Sequence, residues 1–269
     1  EEWGVLMFFM NKSGEKGKGR GGSEQLAIFG SMRARRGAEV KVMSGVETKS
    51  PGTFTRGVRE KTTSTKGFDT DRMIFKDDEL SYALGKEGST RKKLEGAAGA
   101  ILQYVGHIAF IAGTLKERRR CKEFINWLLQ QRRGSVTIAD VDSRDDTTEI
   151  HIPDNCKGWV TGNRGSELRR MEQESGTYMF MALDSRGTER LLIFAADPGS
   201  KTSPTGRMAA ERLVNEMIQE KLRDDGGRGR GRSDSRSRSP APRKRSDSRG
   251  GGRGRSPSRR RSPSRRRSP

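Results

Sequence analysis

Tyr82-Ala-Leu-Gly-Lys-Glu-Gly-Ser-Thr-Arg-Lys-Lys-Leu94 sets two glycines, Gly85 and Gly88, around two polar residues. Apolar residues precede them and a basic, helix-forming run follows. Glycine tolerates φ > 0 and lets another backbone approach closely. The spacing therefore predicts a tight loop between two short helices, with N–H groups gathered at the start of the second. A helix N-terminus attracts anions, so a phosphate is the guest this loop suits. The arrangement recurs at Trp159-Val-Thr-Gly-Asn-Arg-Gly-Ser-Glu-Leu-Arg-Arg-Met171. Aligned without gaps, Gly85 falls on Gly162, Gly88 on Gly165, Lys92-Lys93 on Arg169-Arg170 and Gly99 on Gly176. One module is used at least twice, with its glycine loop at the same place.

The chain around these loops is charged unevenly. Of a net charge of +20, the last 44 residues, 226–269, carry +15 (17 Lys and Arg, two Asp), and the remainder only +5. The tail holds no Val, Ile, Leu, Met, Phe, Trp, Tyr or Cys. It cannot bury enough apolar surface to offset the entropy of ordering, so 224–269 is expected to be a disordered Arg/Ser/Gly-rich segment. A basic arm of this kind implies a polyanionic partner, nucleic acid first. Cys121 and Cys156 form no metal-ligand spacing and suit a reducing, nuclear or cytosolic compartment. No apolar run reaches transmembrane length.

The pattern around the first loop reads β-α-α-β-β-α over 71–133. Arg72 to Lys76 is a strand, Glu79 to Leu84 and Ser89 to Ala97 are helices, and Ala100 to Val105 with His107 to Ala112 make a hairpin split by Gly106. Thr114-Leu-Lys-Glu117 is a capping box opening the last helix. Cys121, Phe124, Ile125, Leu128 and Leu129 give that helix one apolar face, and Gly134 is a C-cap candidate. The same order is read over 147–223, with Pro204 near the start of its final helix. Val136 to Val141 alternates like a strand without an evident place. Residues 50–70, rich in Thr, Ser, Gly and Lys, and 134–146 read as linkers. Gly4 to Met10 resembles Gly176 to Ala182, and Ser23 to Gly30 resembles Thr188 to Ala195. Residues 1–49 are thus expected to be the C-terminal half of a truncated copy, with a glycine- and lysine-rich loop over 11–22. The expected class is α+β: tandem modules, each a three-stranded, antiparallel-rich sheet with three helices on one face.

This frame resembles the eukaryotic-type KH (K-homology) RNA-binding domain. The whole frame, found twice, carries the resemblance, since Gly-x-x-Gly alone is a weak signal. In that family the loop grips the sugar-phosphate backbone of about four nucleotides. The resemblance implies RNA-binding loops at Gly85, Lys86, Glu87, Gly88 and at Gly162, Asn163, Arg164, Gly165. It implies phosphate contacts from Arg91, Lys92, Lys93, Arg169 and Arg170. It implies an apolar base groove lined by Leu80, Ala83, Leu84, Leu94 and Ile101, and by Val160, Leu168, Met171 and Tyr178. Glu87 puts a negative charge where phosphate must sit, so weaker binding is expected of the first loop. Arg91 and Lys157 stand where the family usually has apolar residues.

The tail's Arg236-Ser-Arg-Ser-Pro240, Arg255-Ser-Pro-Ser-Arg259 and Arg261-Ser-Pro-Ser-Arg-Arg-Arg-Ser-Pro269 resemble the Arg/Ser domains of SR splicing proteins. Gly227-Arg-Gly-Arg-Gly-Arg232 resembles RGG-type RNA-binding segments. Ser237, Ser239, Ser256, Ser258, Ser262, Ser264 and Ser268 are phosphorylation candidates. Each phosphate adds about −1.5 to −2 charges, enough on all 11 serines to take the tail from +15 to roughly −2 to −7.

The expected function is single-stranded RNA binding in pre-mRNA splicing or mRNA processing, in the nucleus, with single-stranded DNA also admissible. SR-type splicing proteins and SR kinases are the expected protein partners. No cofactor, metal, membrane, small-molecule substrate or catalytic residue is expected. Gly17-Lys-Gly-Arg-Gly-Gly22 matches a dinucleotide motif but precedes a strand pattern rather than a helix. His107 and His151 lack partners at ligand spacing. Asp140 to Asp146 lacks the glycine and terminal Glu of an EF-hand. The reading from a different class is a protein-interaction scaffold whose loops hold no RNA and whose tail recruits splicing factors or kinases.

Overall fold

The molecule, a computed structural model, describes residues 3–11, 24–196 and 206–228. The Arg/Ser tail with its candidate serines, Pro204 and most of the glycine- and lysine-rich loop lie outside the described residues. The described residues form an α+β protein whose sheets are largely antiparallel.

The chain opens with an antiparallel hairpin, β1 (Leu6–Asn11) and β2 (Glu24–Phe29), followed by α1 (Met32–Lys49), whose N-cap Ser31 accepts from the Ala34 amide. Next come β3 (Asp69–Ile74), α2 (Asp77–Leu84), α3 (Ser89–Ala98), β4 (Ile101–Val105), β5 (Ile108–Gly113) and α4 (Leu115–Gln131). Thr114 and Glu117 form the expected capping box at the start of α4. β5 lies between β3 and β4, antiparallel to both, so β4 is an edge strand. The last module comprises β7 (Thr147–Ile150), α5 (Asp154–Thr161), α6 (Ser166–Ser175), β8 (Tyr178–Leu183), β9 (Glu189–Phe194) and α7 (Arg207–Arg228). Its sheet gains a fourth strand from the connecting segment: β6 (Val136–Thr137) runs parallel to the end of β8. The alternating stretch 136–141 is thus a strand for two residues only and turns into a 3-10 helix at Val141–Ser143.

Each module buries one sheet face against its own helices. In the middle module Ala83, Leu94, Leu102, Ile111, Cys121 and Ile125 are all inaccessible. Ile152, Cys156, Val160, Met171, Leu191 and Val214 do the same in the last module. Both cysteines are free and buried, and burial pushes the Cys121 thiol well up, away from a reactive thiolate.

The other sheet face is covered by the closing helix of the preceding segment. α1 crosses β4 and β5, where Val40 packs with Ile101, Val105, Ile108 and Phe110, and the Ser44 hydroxyl donates to the Tyr104 carbonyl at 2.9 Å. α4 backs the last sheet with aromatic rings. Trp127 lies 4.9 Å from Phe194 and 6.1 Å from Phe180, and Phe124 lies 5.5 Å from Tyr178. The Arg144 guanidinium closes over Trp127 at 5.0 Å. Aligning the two helices on their N-caps, Ser31 and Thr114, brings Ser44 onto Trp127, so this one position faces the following sheet in both helices.

Residues 50–70 are pinned rather than loose. Glu47, 6% exposed, accepts from the Gly52 and Phe54 amides and the Thr55 hydroxyl at 2.6–2.8 Å. Thr63, Thr65 and Gly67 are held by Arg118.

Trp127→Ala removes the ring that joins α4 to the last sheet. It is expected to cost about 2–3 kcal/mol, because the ring is only partly buried and solvent can fill part of the space. The expected readout is a lower urea midpoint, with loss of near-ultraviolet ellipticity preceding loss of helix. A midpoint equal to that of the unaltered chain would show that the modules fold without this contact.

Candidate nucleic-acid interface

The two glycine loops have matching geometry. Gly85 has φ 70° and ψ 174°, and Gly162 has φ 71° and ψ 176°. Gly88 and Gly165 are left-handed, and each N–H closes a short turn onto the first glycine's carbonyl, at 3.2 and 3.3 Å. A side chain is excluded at the first glycine of each pair. A Cβ at Gly85 would sit 2.2 Å from the Thr90 hydroxyl oxygen, and one at Gly162 would sit 2.7 Å from that of Ser166. Between the glycines, Glu87 (φ 53°) and Arg164 (φ 51°) are the non-glycine residues with positive φ among those described. A left-handed L-residue costs roughly 1–2 kcal/mol, so both loops hold strain at the same position.

Both loops are exposed at their tips. Lys86 and Glu87 face solvent in one, Asn163 and Arg164 in the other. Each opens directly into a helix, α3 or α6, whose first-turn amides carry no side-chain cap. The second loop therefore presents a guanidinium beside a helix N-terminus that no side chain caps. Arg169, absent from the loop itself, donates to the Arg164 carbonyl and so stays beside it. The first loop pairs one cation with one carboxylate. These positions can hold a phosphodiester oxygen without any metal, and among the described residues no cluster of His, Cys, Asp or Glu could hold one. No helix among them is long and apolar enough to cross a membrane.

The expected flanking cations divide. Lys92, Arg169 and Arg170 are exposed, Arg170 within reach of Glu167 and Glu174. Arg91 and Lys93, also expected to contact phosphate, are instead engaged inside the protein. Arg91, 8% exposed, bonds Glu95 and the Leu102 carbonyl, each at 2.7 Å. Lys93 reaches across to the last module, 2.9 Å from the Glu172 carboxylate and 4.9 Å from the centre of the Tyr178 ring. Burial pushes the Glu172 carboxyl up, and the Lys93 ammonium together with the Met179 amide partly opposes it. Lys157, the other polar replacement, pairs with Asp154 and Glu189 at the surface.

The expected base groove also needs correction. Ile101 and Tyr178 lie on the opposite sheet face, against α1 and α4 respectively. Side chains alternate along a strand, so a one-residue error in facing moves a residue to the other side of the sheet. Leu102 and Met179 face their modules' own cores. Ala83, Leu94, Val160 and Met171 are fully buried, Leu168 nearly so, and Leu80 is partly buried. Leu84, 39% exposed, is the one expected lining residue that reaches well into solvent. The expectation passed over an aromatic at matching positions on the first helix of each module, Tyr82 and Trp159, 40% and 42% exposed. It also passed over Glu95 and Glu172, one 77-residue repeat apart, each accepting the amide of its module's second strand, Leu102 at 3.2 Å and Met179 at 2.8 Å. The ungapped self-alignment contains both pairs.

No family model matches the chain. Among solved structures it is similar to Dim2p from Pyrococcus horikoshii OT3, at 13% identity over 58% of this chain and 99% of that one, with a TM-score of 0.22. It is similar to a chain of the a/eIF2alpha–aDim2p–rRNA complex from the same organism, at 11% identity over 57% and 96%, TM-score 0.22. A protein of unknown function from Aeropyrum pernix matches at 11% identity over 61% and 98%, again with a TM-score of 0.22. At this level of likeness the comparisons assign no function.

Proposed function

We propose that this chain binds single-stranded RNA through its two glycine loops, as a multi-KH protein of the eukaryotic type. The observation that carries the reading is the repeated loop, in which a glycine no side chain can replace and a strained left-handed residue expose the start of a helix. Such a loop grips a backbone, and an exposed backbone with splayed bases is a property of unpaired strands. The +15 tail adds sequence-independent attraction, and Arg contributes stacking on bases as well as charge. We place the protein in the nucleus, in splicing or mRNA processing, on the likeness of the tail to Arg/Ser domains. SR-type proteins and SR kinases are the proposed partners, tail phosphorylation the proposed control, and no catalytic step is proposed.

The test is fluorescence anisotropy with a 12-nucleotide RNA, single-stranded or as a perfect duplex, at 0.15 and 0.4 M salt. Loop binding predicts that the single strand is preferred about tenfold or more at the higher salt, where tail attraction is suppressed. Equal affinity for the duplex, or affinity lost in parallel for both, would leave the tail as sole binder and favour the scaffold reading.

A further inference from the structure

In the middle module, α3 sends two side chains onto the open edge of β4. Arg91 donates to the Leu102 carbonyl at 2.7 Å and to Glu95 at 2.7 Å, and Glu95 accepts the Leu102 amide at 3.2 Å. The two side chains thus bond to each other and together take both backbone groups of Leu102. This is not a loose surface contact, because the Arg91 side chain is 10% exposed and the Glu95 side chain 23%. An edge strand beside a ligand groove is useful because its N–H and C=O are free to pair with something else. Here they are already paired, from a helix that starts at the glycine loop.

The last module differs by one residue. Glu172 takes the Met179 amide as Glu95 takes that of Leu102, but Leu168 stands in the place of Arg91. Among the described residues no side chain donates to the Met179 carbonyl. The cation that neutralises Glu172 is Lys93, supplied by the other module, 2.9 Å away. β6 flanks β8 only at Ala182 and Leu183, so at Met179 the last module keeps a strand carbonyl to which no described side chain donates, beside an apolar side chain instead of a bonded guanidinium.

We infer that the Arg91–Glu95 pair latches the middle groove shut, so that the last module alone reads bases while the middle loop at most holds backbone. The inference rests on the proposed RNA binding. An unpaired base entering the middle groove must break a hydrogen-bonded ion pair and leave its partners to find others. A base reaching β8 in the last module meets a carbonyl that no described side chain occupies. Glu87 at the tip of the middle loop works in the same direction, since it repels the phosphate that would lead a base in.

Photocrosslinking of the full chain to a random 12-nucleotide RNA carrying photoreactive bases, with crosslinked residues mapped by mass spectrometry, tests this. Crosslinks are expected within 160–181, with yields within 84–104 lower by about tenfold or more, the factor expected for displacing a charged hydrogen bond. Arg91→Leu, which gives the middle module the side chain the last one has, is expected to raise the 84–104 yield several-fold with the circular dichroism unchanged. Glu95→Gln keeps an acceptor for the Leu102 amide while freeing Arg91. It is expected to raise that yield by a smaller factor, and it carries the test should Arg91→Leu fail to fold. Equal yields in the two modules of the unaltered chain, or no rise in either variant, would overturn the latch while RNA binding stood. Crosslinks confined to 229–269 would overturn the RNA-binding reading and the latch with it.

Discussion

Arg118→Met is expected to unfold the middle module. Arg118 is fully buried and Asp71 is 1% exposed, and they meet at 3.2 Å. The guanidinium also donates to the Gly113 carbonyl at 2.6 Å, to the Gly67 carbonyl at 3.1 Å, to the Thr65 carbonyl at 2.9 Å and to the Thr63 hydroxyl at 3.0 Å. Methionine fills much of the volume and serves none of these acceptors. Asp71 keeps the Thr63 amide and hydroxyl, each at 3.0 Å, and a distant Lys122 at 3.9 Å, too little to balance a carboxylate removed from water. Breaking a buried pair from one side costs roughly 3–5 kcal/mol, and each orphaned carbonyl adds to that. Against a typical domain stability of about 5–15 kcal/mol this leaves little or nothing. Arg118→Lys should rescue poorly, because one ammonium cannot reach acceptors spread around a planar fork. Urea unfolding followed by circular dichroism checks both, and a midpoint within a few tenths molar of the unaltered chain's would refute the role given to Arg118.

Asn163→Asp with Arg164→Asp is expected to lower affinity for single-stranded RNA by about 100-fold while the fold stays intact. The substitution removes one cation and places two carboxylates where phosphate oxygens must come. A unit charge pair at about 4 Å is worth about 4 kcal/mol at an effective dielectric of 20, and solvent screening at an exposed loop reduces the total to about 2–3 kcal/mol. Aspartate is among the residues that tolerate positive φ, so position 164 can stay in its left-handed conformation. The matched change in the middle loop, Lys86→Asp, is expected to cost much less, because Glu87 already opposes phosphate there. Anisotropy at 0.4 M salt, with the circular dichroism spectrum as control, separates these outcomes. Undiminished affinity in the 163/164 variant would remove the second loop from any account of binding.

How much of this could be read from residues alone follows from how local each feature is. The glycine loops, the Thr114–Glu117 capping box and the hairpins are set by spacings of a few residues, and the fold shows them within one to three positions. Ile101 and Tyr178 read as groove residues because both faces of each sheet are apolar, and alternation there carries no signal about facing. Lys93 reads as one more surface cation until the modules are brought together and Glu172 appears beside it. β6 pairs with β8 across more than 40 residues of chain, and two residues give too short a pattern to announce a partner. Arg118 and Arg91 sit among other arginines and lysines in basic helices, and nothing in composition marks which of them turns inward.

The polarity of the stack follows from the faces of its helices. Matching the buried Cys121, Phe124, Ile125 and Leu128 of α4 with Ala210, Leu213, Val214 and Met217 of α7 places Arg212 on Glu123, Glu216 on Trp127 and Gln219 on Gln130. All three are exposed. The position that faces the following sheet on α1 and α4 is here Glu216, 3.5 Å from the Arg212 guanidinium, and a hydrated ion pair there resists adhesion to an apolar sheet. Growth of the array in that direction would thus require a change of side chains on α7 before any copying of modules, with Glu216→Trp as the first step.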